Sequence, residues 1–164
     1  MTTPSPSPPY ASSHPTAPLA PWVLGLAGAL PFAALALAAF FNVYQPQGVS
    51  IYALTLYAAL IASFLGGVHW GLAMAQGANG PALWRRLIIS VAPALVAWAV
   101  ILAPLPPEQP LLLLAALFVV LGTYDVFALA RLGEAPAWYK PLRFVLSTIV
   151  VASLLLAYAG APRF

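Results

Sequence analysis

Charge is scarce in this chain: six Lys or Arg and three Asp or Glu among 164 residues, 5% of the total. A soluble domain carries roughly 25% charged residues, so water cannot be the solvent around most of this surface. Cysteine is absent, which excludes a disulfide framework, thiolate metal sites and thiol catalysis. Histidine is nearly absent: His14 and His69 are too few for a haem pair or a zinc site. No Walker loop, G-x-G-x-x-G or H-E-x-x-H occurs, so no cofactor and no metal is expected. What is plentiful is apolar surface, 63% of the residues. A soluble enzyme and a disordered chain are both excluded; a membrane-embedded domain is left.

Residues 1–21 hold seven prolines among Ser, Thr and Ala. Such a stretch cannot sustain a hydrogen-bonded helix, and a disordered Pro-rich tail is expected there, with His14 solvated. The first basic residue is Arg85. The start therefore lacks the basic residues of a secretory signal and the arginines of a transit peptide. The first apolar stretch is expected to be a retained span.

Five stretches are long enough, or nearly so, for a hydrocarbon core of about 30 Å: 22–41, 50–76, 86–103, 110–130 and 142–160. Turn residues separate them, and the apolar runs are continuous rather than alternating. The expected fold is all-α: a polytopic membrane bundle of five transmembrane helices over 22–164. Arg85, Arg86, Arg131, Lys140 and Arg143 all fall on one side of this arrangement, and Arg163 alone on the other. Basic residues in short loops stay cytoplasmic, which puts the N-terminus inside and the C-terminus outside. Trp22, Trp84, Trp138 and Tyr139 fall at the inner interface, Tyr44 and Tyr52 at the outer. The net charge of +3 thus marks an inner-leaflet anchor and not a nucleic-acid binder.

Two strongly polar, titratable residues lie well inside the expected spans, His69 and Asp125. Each sits six or seven residues from the inner end of its helix, about 10 Å deep. The two helices run the same way, so the depths match. A carboxylate there needs a partner. His69 is one, and Arg86 and Arg143 at the inner starts of the third and fifth helices are within reach. Ser90 and Ser147 lie one turn deeper. These six residues form a candidate polar pocket in the inner leaflet, open to proton exchange or to a polar head group. The bland reading is a packing hydrogen bond or an Asp125–Arg143 pair. A Ser–His–Asp triad using Ser90 or Ser147 carries little weight, because geometry and not composition defines a triad.

The second helix carries small residues at every fourth position: Ala59, Ser63, Gly67, Gly71 and Ala75. Such a ridge lets helix backbones approach closely. Packing within the bundle is favoured over a ligand cleft, and the same ridge serves a homo-oligomer or membrane-protein partner equally well. His69 points away from it, beside Ala62, Gly66 and Ala73, while Ile61, Leu65, Val68 and Leu72 form a lipid-like stripe. Pro31 and Pro93 lie inside helices and are read as shape. The two inner hairpins also echo each other. From His69 to Arg86 and Ser90 is 17 and 21 positions; from Asp125 to Arg143 and Ser147 is 18 and 22.

Three motifs, Gly25-Leu-Ala-Gly-Ala-Leu-Pro-Phe32, Ser63-Phe-Leu-Gly-Gly-Val-His-Trp-Gly71 and Trp138-Tyr-Lys-Pro-Leu-Arg143, resemble the transmembrane-protein-69-like family of small membrane proteins over about 22–160. The resemblance implies a bacterial cytoplasmic-membrane protein with relatives in the mitochondrial inner membrane, and it implies no activity. Two expectations follow for function. The first is an integral membrane protein without catalytic chemistry, an accessory or assembly component of a membrane complex or of the inner-leaflet lipid environment. The alternative is a small binder or carrier for a proton-coupled solute, quinone or lipid, using His69 and Asp125.

Overall fold

The computed structural model describes residues 19–43, 48–77, 79–129 and 136–161. His14, Tyr44, Arg131 and Arg163 lie outside the described residues. The elements are α1 (Leu19–Phe40), α2 (Gly48–Ala75), α3 (Gly80–Leu102), α4 (Gln109–Thr123), a π-helical segment (Tyr124–Leu129) that continues α4, and α5 (Tyr139–Gly160). Among the described residues there is no strand. Five helices are long and apolar enough to cross a membrane, the fourth counting the start of the π segment.

All five helices begin earlier than the apolar runs alone indicate, three of them by three residues or more. Helix α1 starts at Leu19 and takes in Pro21; α3 starts at Gly80, and α5 at Tyr139. Proline in a first turn lacks only an N–H that would have had no partner. That accommodates Pro21, Pro81 and Pro141. Trp and Arg keep their polar ends in water while their stems lie along apolar surface, so Trp84, Arg85 and Arg86 extend α3 past the apolar run. Pro31 and Pro93 sit inside α1 and α3, and both helices continue across them.

Around the bundle the order is α3, α2, α1, α5, α4, with α4 also touching α2 and α3. Helices α1 and α5 run parallel: Gly25 meets Leu146 near their starts and Gly160 meets Phe40 near their ends. At the centre, Phe32 stacks between Tyr57 (4.9 Å) and Phe118 (5.9 Å), with Leu54, Leu111, Leu114 and Leu154 packed around them. Tyr57 donates its hydroxyl hydrogen to the Gly28 carbonyl at 2.8 Å, which ties α2 to α1. The exterior is as apolar as the core. Leu24, Leu30, Leu60, Phe64, Ile88 and Val120 are all exposed, a surface that suits hydrocarbon and would aggregate in water.

The face of α2 turned to its neighbours differs from the small-residue ridge. Ala58, Ala62, Leu65, Gly66, His69 and Ala73 are buried. Ser63, Gly67, Gly71 and Ala75 face outward and Ala59 is half-buried; a Cβ added at Gly67 or Gly71 would meet nothing within 4 Å. The expectation that this ridge packs within the bundle is corrected accordingly. So is the lipid-like stripe, since Leu65 is buried, Ile61 and Leu72 are half-buried and Val68 is 37% exposed. In lipid the outside and the inside of a bundle are both apolar, so small size alone does not say which face is covered.

The close approach is made instead by Gly66. A Cβ there would stand 2.1 Å from the Ser90 carbonyl oxygen, so α2 and α3 touch backbone to backbone. Gly122 makes room for a side chain instead: its Cβ would lie 2.6 Å from Ser147 Oγ, so α4 and α5 meet there backbone to side chain. Each glycine precedes its hairpin's polar residue by three positions, Gly66 before His69 and Gly122 before Asp125. The two hairpins that echo in sequence therefore also share a glycine at a helix contact.

Candidate functional site

Asp125 is 1% exposed and sits second in the π-helical segment. Such segments concentrate at functional sites. Its carboxylate is contacted from two other helices. His69 Nε2 of α2 lies 2.9 Å from Oδ1. Arg143 Nε of α5 lies 2.6 Å from Oδ2, and Tyr139 donates its hydroxyl hydrogen to the same oxygen at 3.3 Å. Tyr139, Arg143 and Ser147 follow one another at four-residue steps on α5, so they share one face. The Tyr124 ring packs edge-on against His69 at 5.4 Å.

One carboxylate meets one guanidinium, so these two charges cancel, and the His69 imidazole completes the set. Taking ions out of water costs several kcal/mol per ion, and mutual attraction offsets that cost only where geometry is good. Here it is incomplete. The contacts of Asp125 Oδ1 and Arg143 Nε are close but fall short of hydrogen-bond angles. Arg143 Nη2 and Ser147 Oγ are buried and have no partner among the described residues. Leaving a buried donor unpaired costs about 1–3 kcal/mol.

The two residues that carry these donors line an apolar crevice between α1, α2, α4 and α5, open on one side, with about 550 Å³ of empty space counting its open mouth. Leu24, Gly28, Phe64, Phe118, Leu146 and Val150 are among its walls. Leu24 and Phe64 are 72% and 65% exposed and frame its mouth toward the surroundings. A second crevice, of about 890 Å³, lies along α4 and α5 beside Phe127 and Phe144, and Ser147 borders it as well.

Of the six candidate residues, the fold brings His69, Asp125 and Arg143 into one contact set, with Ser147 a turn further along α5. Arg86 hydrogen-bonds the Gln76 side chain. Ser90 donates to the Leu87 carbonyl at 2.7 Å, and its own carbonyl faces Gly66. Tyr139, assigned to the interface from sequence, is half-buried on Asp125. Its spacing of four from Arg143 was the available signal. Gly66 lies, as expected, with Ala62 and Ala73 on the His69 face of α2, and that face is buried; Gly122 had no signal beyond its distance from Asp125.

The chain is similar to Transmembrane protein 69 of Xenopus tropicalis, 38% identical over 135 residues that make up 80% of this chain and 50% of that protein. It is also similar to Transmembrane protein 69 of Mus musculus, 32% identical over 127 residues, 76% of this chain and 49% of that protein. The chain thus spans about half the length of these relatives. No solved structure matches it. Residues 17–159 match the family described as Protein of unknown function (DUF3429). With five apolar helices long enough to span a bilayer, the chain is an integral, multi-pass membrane protein of this DUF3429, Transmembrane protein 69-like family.

Proposed function

We propose that this protein binds a small amphipathic molecule drawn from the bilayer, without enzymatic turnover. The site is the crevice beside the His69–Asp125–Arg143 cluster. One observation carries the reading: a buried arginine, paired with Asp125, keeps Nη2 without a partner while its side chain lines an apolar crevice whose mouth is framed by exposed Leu24 and Phe64. Binding pockets are mostly apolar concavities with a few polar groups among their walls. The serines support a non-catalytic role, since Ser90 donates to a backbone carbonyl and Ser147 Oγ has no hydrogen-bond partner among the described residues.

The test is mass spectrometry of molecules co-purified in mild detergent from wild type and from Gly28→Leu. A Cβ at Gly28 meets nothing within 4 Å and Gly28 lines the crevice, so the added side chain starts in open space there; circular dichroism of the variant checks that the helices are retained. A molecule retained by wild type and lost from Gly28→Leu is the expected result. Folded wild-type protein that retains nothing beyond the background of an unrelated membrane protein overturns the proposal.

A second reading, an accessory or assembly component of a membrane complex, is favoured by the outward ridge of Ser63, Gly67, Gly71 and Ala75. A homo-oligomer or a membrane-protein partner at fixed stoichiometry, lost in Gly67→Leu, would support it. In either reading we place the protein in a bacterial cytoplasmic membrane. The end carrying Arg85, Arg86, Lys140 and Arg143 faces the cytoplasm, on the argument that basic residues stay on the side of synthesis.

A further inference from the structure

We infer that the crevice selects an uncharged molecule presenting a carbonyl oxygen to Arg143 Nη2 and Ser147 Oγ, and that this molecule is an acyl-ester lipid of the surrounding bilayer. The inference rests on the binding role proposed above and names its ligand class. Three observations lead to it.

The first is donor chemistry. A guanidinium has only donors, and a hydroxyl has one hydrogen to give. Arg143 and Ser147 are four residues apart on α5, so both groups lie on one helix face, and both residues line the same crevice. A carbonyl oxygen has two lone pairs, so one such oxygen can satisfy two donors carried on the same wall.

The second is charge. The charged and titratable groups gathered at Arg143 are Asp125, His69 and Tyr139, with Tyr124 behind the imidazole. The carboxylate and the guanidinium already cancel. A carboxylate or phosphate ligand would add an uncompensated negative charge in apolar surroundings, which burial penalises heavily. A neutral acceptor adds none.

The third is depth and shape. Arg143 is four residues into α5, roughly 6 Å along its axis, which is the interfacial level of a bilayer rather than its centre. Ester carbonyls of glycerolipids lie at that level. From there the crevice follows α1 from Leu24 to Phe32, about 12 Å of apolar wall running toward the core. That is a groove for one acyl chain, with its ester at the polar end.

The experiment uses the whole protein in nanodiscs at pH 8 and three diazirine-bearing probes of equal chain length: a methyl ester, an alkyl sulfonate and a headless alkane. The ester is expected to label crevice residues such as Leu24 and Phe64, with the sulfonate and alkane at least ten-fold weaker in competition. Ser147→Ala should lower ester labelling about three- to ten-fold, leave alkane labelling unchanged, and remove part of the downshift in the carbonyl stretch of a 13C-labelled ester. A diacylglycerol should compete with the ester. If the sulfonate binds as well as the ester, the site is an anion site; if the alkane does, it is merely greasy. A long-chain quinone competing where the diacylglycerol does not overturns the assignment to bilayer lipid. In those three cases the binding role survives and the ligand class falls. If no probe labels the crevice of folded protein, the binding role itself fails.

Discussion

Adjacent glycines in α2 give the sharpest test of how this bundle is assembled. At Gly66 an added methyl would stand 2.1 Å from the Ser90 carbonyl oxygen, where ordinary contact begins near 3.4 Å. A backbone atom cannot swing aside as a side chain does. Helix α3 would have to retreat by more than about 1 Å along a tightly packed seam, and overpacking of this kind costs about 1–3 kcal/mol. At Gly67 the same methyl meets nothing within 4 Å, and alanine is intrinsically the better helix former by up to about 1 kcal/mol. Gly66→Ala is therefore expected to lose about 2 kcal/mol, roughly a thirty-fold fall in the folded-to-unfolded ratio. Gly67→Ala should match or exceed wild type. The assay is reversible unfolding by sodium dodecyl sulfate in mixed micelles, followed by tryptophan fluorescence. Equal stability of Gly66→Ala and wild type, or an equal loss in both variants, would refute the assignment of faces on α2.

The Asp125–Arg143 pair makes a second prediction. Arg143→Leu alone strands a buried carboxylate and should cost about 3–5 kcal/mol, whereas the double variant with Asp125→Leu should recover most of that loss; additive losses in the same unfolding assay would show that the pair is not coupled. Asp125→Leu should accumulate in membranes better than Asp125→Lys, which sets two cations beside each other, and immunoblotting of membrane fractions decides it. Tyr139→Phe removes one long hydrogen bond of 3.3 Å and should cost no more than about 1 kcal/mol; a larger loss by chemical unfolding would mean that the hydroxyl holds more than Asp125. The absence of native cysteine makes orientation simple to measure. In intact cells an impermeant maleimide should label Glu108→Cys and not Asn79→Cys, and the reverse pattern would invert the topology.

Much of this architecture is legible in the sequence because its cause is one-dimensional. The spans follow from the length of apolar runs, and the meeting of His69 with Asp125 follows from counting residues to the end of each helix. Arg143 was found the same way. Rotation about the helix axis is what could not be read. In a soluble helix the polar face shows which side is outside; here Ser63, Gly67 and Gly71 on one side of α2 and Ala62 and Gly66 on the other offer no contrast. Arg86 and Arg143 start equivalent helices, yet one turns to Gln76 and the other inward to Asp125. The π-helical segment left no trace either, because a change from four-residue to five-residue hydrogen bonding alters no residue type.

Ser147 stands in the partition between two cavities, and its side chain owns a single hydrogen to donate. Whichever chamber holds an acceptor claims that hydrogen, and the other chamber then faces only lone pairs. One rotating hydroxyl thus sets the two compartments in competition, so that filling either one makes its neighbour less hospitable with no movement of the backbone.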